Sequence, residues 1–201
     1  SGQHDASQNN FAIDCDGDII NGSMIPMNLH IQSDNGYDQT IVFNLQIGEV
    51  SSSDPLGPDE YGYYIYGEED ISYQAAPVYD WIEINPSQGG SGQSLGFNDS
   101  GDGNFSTSIA SQILPFSFQF YGLIYNRITV CSNGWIAFGT TGMESFRNYE
   151  IPGPGGPPAM VAAFWDDLKT SNGGNVYIYA DPGSDYFIIE WSGMRTDDNN
   201  S

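Results

Sequence analysis

Three aspartates at alternate positions, Asp14, Asp16 and Asp18 in the segment DCDGD, form the best candidate metal site in the sequence. Alternate side chains of an extended segment point to one side, and carboxylates in a loop can converge on Ca²⁺, which prefers oxygen ligands. The segment is not an EF-hand, because Ile19 and Ile25 occupy the positions that require Gly and Glu. The alternative is a solvated turn, in which Asp forms local backbone hydrogen bonds. If Ca²⁺ binds, we expect it at these three aspartates.

Two further acidic groups allow both a functional and a structural interpretation. The segment NDSGDGN, residues 98–104, places Asp99 and Asp102 among glycines, where they could bind Ca²⁺ or form a solvated turn. Asp166 and Asp167 follow the apolar segment AMVAAFW, where the chain leaves the core. Acid–base catalysis by this pair would need a neighbour that perturbs a pKa. We therefore predict that these two aspartates fix a turn.

The residues that could supply a nucleophile or a general base do not form a recognisable catalytic motif. His4 lies in a polar N-terminal segment, and His30 lies in an alternating strand pattern. A triad assembled by folding stays open, because its members meet in space and not in sequence. Cys131, in the apolar run ITVCSNGW, is typical of an inert packed thiol. We predict that the chain is not an enzyme.

The cysteine count limits the covalent constraints on the fold. Cys15 and Cys131 are the only two cysteines and lie far apart, so the sequence contains no disulfide framework and no CxxC metal motif. Two alternatives remain at this point: a single bridge between them, or two buried free thiols.

The charge of the chain restricts its partners. Lys and Arg number 4 against 26 Asp and Glu, which gives a formal net charge of -22. Nucleic acid and anionic lipid surfaces are bound through clustered Lys and Arg. We therefore predict no nucleic-acid partner and no membrane insertion, the latter also because no apolar run is long enough to span a bilayer.

Period-two alternation between turn residues predicts an all-β chain with little or no helix. The N-terminal strand candidates are FAIDCDGDII, MIPMNLHIQS and TIVFNLQIGEV. The later ones are YGYYIY, YDWIEI, LPFSFQFYG, NRITVCSNGWIAFG, AMVAAFWDDL, NVYIYAD and YFIIEWSG. The spacing of the later set is typical of a β-sandwich.

Two segments within this pattern have special composition. Pro152, Pro154, Pro157 and Pro158 remove backbone donors, so IPGPGGPP should cross the sandwich as an ordered loop before AMVAAFW enters as a buried strand. In YGYYIY, residues 61–66, alternation places tyrosines on both faces. This could be an aromatic platform for sugars or a strand covered on both sides.

Four blocks in order resemble the accessory β-sandwich of large secreted, surface-sorted bacterial proteins, such as those with gingipain-type peptidase domains. The blocks are LGPDEYGYYIYGEEDISYQAAPVYDWIEI, LPFSFQFYGLIYNRITVCSNGWIAFG, FRNYEIPGPGGPPAMVAAFWDDL and YFIIEWSGMR. The resemblance implies an exported, modular, non-catalytic surface protein, and residues 11–50 are similar to the closing strands of a preceding Ig-like module. The peptidase motifs of such proteins are not present in the chain.

The resemblance gives a predicted domain organisation. We expect a flexible N-terminal tail over residues 1–10, a partial Ig-like module over 11–50, a Ser/Pro/Gly linker over 51–60 and a jelly-roll-like β-sandwich over 61–201. Relatives continue into further strands, so we also expect both modules to be incomplete, with open sheet edges.

These expectations favour two functions. The first is an extracellular structural or adhesive module that forms a head-to-tail filament, a homo-polymer joined by strand sharing. The second is an accessory domain of a secreted hydrolase that binds a glycan or a surface protein.

Overall fold

The computed structural model describes residues 12–16, 19–101, 109–180, 183 and 186–196. In these ranges the regular secondary structure is β-strand together with two short 3₁₀ turns, Glu68–Asp70 and Pro86–Gln88, without an α-helix. The predicted all-β class is therefore confirmed. No helix of the described residues is long and apolar enough to cross a membrane.

The chain divides into two compact units, Ser1–Asp80 and Trp81–Ser201. The predicted linker, residues 51–60, lies inside the first unit. Its Asp54 carboxylate accepts hydrogen bonds from the Ser51 backbone N–H and the Tyr73 hydroxyl, both at 2.7 Å. These two donors, in that order, lower the pKa of Asp54. The segment is thus attached to the rest of the unit by side-chain hydrogen bonds.

The first unit contains one antiparallel hairpin, formed by β1 (Met24–Gln32) and β2 (Asp38–Gln46). The turn between them closes through a hydrogen bond from the Ser33 N–H to the Tyr37 carbonyl at 3.0 Å. The predicted first strand, FAIDCDGDII, is not observed: residues 12–16 and 19–20 are not in strand conformation. The Ile19 N–H bonds to the Asp16 carbonyl at 3.2 Å and not to a neighbouring strand.

Two other predicted strands are also wrong. Residues 61–66, YGYYIY, make only an isolated bridge between Leu56 and Ile65. Asp59 accepts hydrogen bonds from the backbone N–H groups of Tyr61 and Tyr63 at 2.8 and 3.0 Å, and such local bonds compete with strand pairing. Residues 79–84, YDWIEI, form no strand either.

The second unit contains two main antiparallel sheets and one small pair. The first sheet has the order β4-β5-β6-β7, the second has the order β10-β9-β3, and β11 pairs with β8. The bounds are β3 Gln93–Ser94, β4 Ile109–Phe120, β5 Leu123–Cys131, β6 Trp135–Phe138, β7 Met160–Ala162, β8 Leu168–Lys169, β9 Asn175–Ala180, β10 Phe187–Ser192 and β11 Arg195–Thr196.

The core of this unit lies between the two main sheets. Along β5, Ile128 and Val130 point into the space between the sheets, because alternate strand residues share a face. They belong to a buried cluster that also draws on partly buried side chains of β10. The buried members of the cluster are Phe97, Leu114, Ile128, Val130 and Val176. The arrangement is consistent with the predicted β-sandwich.

The outer face of the first sheet is covered by the proline-rich loop, residues 139–159, whose segment IPGPGGPP contains neither strand nor helix, as predicted. The loop joins β6 to β7, which pair with each other in one sheet, so the prediction that this segment crosses the sandwich is wrong. The Ser145 carbonyl accepts both indole N–H groups of this face, from Trp135 at 2.8 Å and Trp165 at 3.1 Å. The Tyr149 ring meets the Trp165 ring edge-on. Two tryptophans therefore fix the loop through one carbonyl.

The strand that follows this loop is shorter than predicted. AMVAAFW forms only the three-residue edge strand β7, whose Val161 is exposed. The next residues bend away, and Phe164 is 63% exposed. Asp166 and Asp167 then lie in a bend, where the Asp166 carboxylate accepts the Asp167 N–H at 2.8 Å. This hydrogen bond agrees with the predicted turn-fixing role.

Both cysteines are free thiols. Cys131 is buried, but Cys15 is exposed, which differs from the alternative of two buried thiols. Burial raises the pKa of Cys131 from 9.0 to about 12.

We expect a thiolate-specific reagent to modify Cys15 alone in the folded protein. Raising the pH from 7 to 9 produces thiolate at Cys131 only after unfolding, because the pKa of the folded thiol lies near 12. Mass spectrometry should find one label under native conditions and two in denaturant at every pH up to 9. Rapid native labelling of Cys131 would contradict its burial.

Candidate functional site

The most distinctive surface of the second unit is an open apolar groove of about 290 Å³. Its walls are the inner face of the first sheet and the beginning of β10. None of its lining side chains is charged. They are Leu114, Phe116, Phe118, Ile128, Ile136, Phe138, Tyr186, Phe187 and Ile189.

Aromatic rings form one end of this groove. Phe118 stacks on Phe138 with ring centroids 4.9 Å apart and planes within 3°. Phe120 and Tyr125 also pack against Phe138, at 4.6 and 5.4 Å. Phe118 nevertheless remains 39% exposed. The aromatic wall is thus preformed and accessible.

Edge strands border the groove. Among the described residues, β4 pairs only with β5, and β10 pairs only with β9. On the side of the second sheet, the groove is lined by residues of β10 and by the adjacent Tyr186, but by no residue of β9. The opening therefore lies along the edge of the sandwich, where backbone groups can accept another strand.

The first unit has an exposed apolar surface of its own, the apolar face of its hairpin. Ile41, Phe43 and Leu45 of β2 lie opposite Leu29, Met27 and Ile25 of β1. Phe43 is still 43% exposed, and every residue of β2 except Leu45 is exposed. A two-stranded hairpin of this kind is marginal without a covering layer. The face is therefore a candidate contact surface.

A second concavity, the Arg195 cleft, lies at one end of the sandwich and has a volume of about 600 Å³. Its wall includes the exposed ring of Phe164 and the partly buried Trp191, whose indole N–H donates to the Cys131 carbonyl at 2.8 Å. Arg195, one of only four basic residues of the chain, also lines it. An aromatic wall beside a guanidinium is suited to a small polar ligand.

In the second acidic segment, NDSGDGN, one aspartate is buried and hydrogen-bonded. Asp99 is 5% exposed, and its carboxylate accepts the Ser132 hydroxyl at 2.5 Å and the Gly101 N–H at 2.9 Å. Its backbone exchanges hydrogen bonds with Thr170. The interpretation of Asp99 as part of a solvated turn is thus wrong, because its oxygens satisfy donors inside the protein. Asp102 lies outside the described residues.

The predicted calcium ligands are only partly described. Asp14 and Asp16 are exposed and lie outside any strand, whereas Asp18 lies outside the described residues. In the part of the chain that is described, no three His, Cys, Asp or Glu side chains gather into a metal-binding group. The three-aspartate site stays a prediction.

The residues that could act in catalysis belong to different units of the chain. His30 lies in the hairpin, where its Nε2 meets the Asp38 carboxylate at 2.7 Å on an exposed surface. The Gln32 amide and His30, in that order, lower the pKa of Asp38. His4 lies outside the described residues. The second unit has no histidine in its sequence, so its buried Ser132 and Asp99 lack an imidazole from that unit.

The second unit defines a class of protein: an antiparallel β-sandwich domain with an apolar groove open along its edge. A family model described as NIDO related matches residues 78–201. The chain therefore belongs to the NIDO-related family. The matched range contains the whole second unit, including the groove and the Arg195 cleft. No curated protein and no solved structure matches the chain.

Sequence reasoning found the strands of the groove but not the groove itself. LPFSFQFYG and YFIIEWSG were both predicted as strands, and their alternating Phe, Leu and Ile residues indicated apolar faces. The groove could have been inferred from the absence of Lys and Arg in these two segments, because exposed edge strands usually carry such residues.

Proposed function

We propose that this chain is a non-catalytic structural or adhesive module of an extracellular protein, and that copies of it assemble head-to-tail into a filament by strand sharing. One observation carries the proposal: an apolar hairpin face and an uncharged groove with open strand edges lie on different units of the same chain. Two different complementary surfaces on one molecule form heterologous contacts, which extend into open assemblies unless the rotation closes.

Charge supports the same surfaces as the place of contact. Two chains with a formal charge of -22 repel each other. The groove lining and the apolar hairpin face contain no charged side chain, so contact there avoids desolvating carboxylates. Electrostatic repulsion and the desolvation of carboxylates therefore oppose association less at these two surfaces than at the charged parts of the chain.

An extracellular location is supported by the family, since NIDO-related domains occur in extracellular proteins. The acidic composition agrees with it, because a high net charge keeps an exported protein soluble. The resemblance to gingipain-type accessory sandwiches would make the source a surface-sorted bacterial protein.

We expect self-association that strengthens with salt. From about 0.01 to 0.15 M ionic strength, the Debye length falls from about 30 to 8 Å, which screens the repulsion between chains and leaves the apolar contact intact. Sedimentation velocity at micromolar concentration should show the weight-average mass rising with both protein and NaCl concentration. An assembly joined by ion pairs would dissociate with salt, and a monomer under all conditions would refute the proposed function.

A second candidate function is ligand binding by an accessory domain, which the Arg195 cleft favours. Its ligand would be a glycan or a polar group of a surface protein, stacked on Phe164 and held by Arg195. Titration calorimetry with acidic and neutral oligosaccharides tests this alternative. Binding that is lost in Phe164→Ala, in a chain that stays monomeric, would put this function first.

A further inference from the structure

We infer that the joint between copies is formed by β2 of one copy, which adds to the free edge of β10 of the next and places Phe43 in the apolar groove. This inference rests on the proposed assembly and names its two contact surfaces. It follows from which strand edges are open to pairing, and from what the groove can hold.

The hairpin and the groove are bordered by four edge strands, β1, β2, β4 and β10, and proline excludes two of them. β1 contains Pro26, and β4 contains Pro115 within a register irregularity between Ile113 and Phe118. Proline supplies no N–H to a ladder, and an irregular register interrupts pairing. Continuous strand addition is thus blocked on the free sides of β1 and β4.

The edges of β2 and β10 lack these protections. Neither strand contains proline or lysine, the residues with which exposed edges usually prevent pairing. The charged residue of β10, Glu190, is buried and accepts the Ile84 N–H at 3.1 Å. Its neighbours in the strand, Ile189 and Trp191, pack against the core between the sheets, so Glu190 points to the opposite face. In the described ranges, β2 pairs only with β1 and β10 only with β9.

The dimensions of the two surfaces agree. β2 has nine residues and β10 has six, so β2 can pair along all of β10. A cavity of about 150 Å³ holds one benzene-sized group, and the groove of about 290 Å³ therefore holds about two. Phe43 and Ile41, two positions apart on one face of β2, are spaced about 7 Å along the strand and supply two such groups.

The aromatic wall supplies specific partners for this insertion. Phe118 and Phe138 are stacked at the groove, and aromatic rings favour offset or edge-on contact with another ring. Phe43 is the aromatic residue of β2. The occupant that these features fit is a second copy of this chain, whose β2 has an uncharged apolar face with the alternation and the length that pairing along β10 requires.

The test uses one donor variant and one acceptor variant of the full chain. Phe43→Glu places a charge on the apolar face of β2, and Phe118→Glu places one at the groove. Matched controls carry the same charge on the same strands at exposed positions: Val42→Glu, which lies on the opposite face of β2, and Ile113→Glu, which does not line the groove. Each charged groove or face variant should weaken association by at least about 30-fold, the effect of losing one central aromatic contact. Both controls should assemble as the wild type does.

Mixing the two variants is the decisive measurement. Each variant alone should sediment as a monomer at micromolar concentration. An equimolar mixture should form a heterodimer and stop there, because only the acceptor of the Phe43→Glu chain and the donor of the Phe118→Glu chain remain intact. Tyr186→Glu, at an exposed groove position, is a second acceptor variant in case Phe118→Glu fails to fold.

The outcomes separate this inference from the proposed function. Suppose that the wild type assembles but the mixture of variants stays monomeric, or that Phe43→Glu assembles as the wild type does. Either result would refute the joint between β2 and the groove without refuting the proposed filament. A wild-type chain that remains monomeric at all salt concentrations would overturn both.

Discussion

Replacement of Gly134 by alanine is expected to lower the free energy of unfolding of the second unit by about 3 to 5 kcal/mol. Gly134 has φ of 76°, and a Cβ there would lie 1.8 Å from the Phe164 carbonyl oxygen. That oxygen belongs to a residue whose own N–H bonds to the Gly134 carbonyl at 3.1 Å, so the two segments cannot separate without losing this bond. Urea unfolding followed by tryptophan fluorescence measures the loss.

Gly139→Ala is the matched control for this substitution. Gly139 also has a positive φ, 89°, but the nearest atoms to its added Cβ belong to the Tyr125 ring at 3.9 Å. Only the backbone strain remains, at about 1 to 2 kcal/mol. Equal losses in the two variants would show that the close approach of Gly134 to Phe164 does not contribute to stability.

Replacement of Trp135 by alanine is expected to cost about 3 to 5 kcal/mol. The Trp135 side chain is fully buried with Cys131, Ala137 and Trp165 on the outer face of the first sheet. The change leaves a cavity beneath the proline-rich loop and removes one of the two indole donors to Ser145. Besides the lower unfolding free energy, limited proteolysis should cut residues 139–159 faster than in the wild type.

Trp135→Phe separates packing from hydrogen bonding. Phenylalanine keeps most of the apolar volume, and the Ser145 carbonyl still accepts the Trp165 N–H at 3.1 Å, so no buried acceptor is left without a donor. We expect a loss of about 1 kcal/mol. If this variant is as unstable as Trp135→Ala, the cavity is not the cause.

Alternation was a reliable guide where strands pair along most of their length. NRITVCSNGWIAFG, predicted as one strand, instead forms β5 and β6 on either side of a turn at residues 132–134. β1, β2, β9 and β10 match their sequence patterns. Their apolar residues recur with period two, and each strand is long enough for its neighbours to reinforce it. The predicted turn at Asp166 and the predicted absence of a strand in IPGPGGPP also agree with the structure, because both depend on local backbone chemistry.

Patterns were misleading where a side chain competed with the ladder. YGYYIY alternates as a strand does, yet Asp59 takes two of its backbone N–H groups. In YDWIEI, the Ile84 N–H bonds to the side chain of Glu190, a residue of β10. In both segments the competing side chain lies outside the alternating pattern, and Glu190 is more than a hundred residues away from Ile84.

The sequence by itself determined the all-β class, the main strand positions and the strongly acidic charge, because these depend on composition and on the spacing of neighbours along the chain. Only the tertiary structure decided that Asp99 is buried against Ser132, that two tryptophans share the Ser145 carbonyl, and that β4 and β10 border one uncharged groove. Each of these features joins residues distant in sequence, and the free energy that selects such contacts comes from packing and from satisfying buried polar groups, which no local pattern encodes.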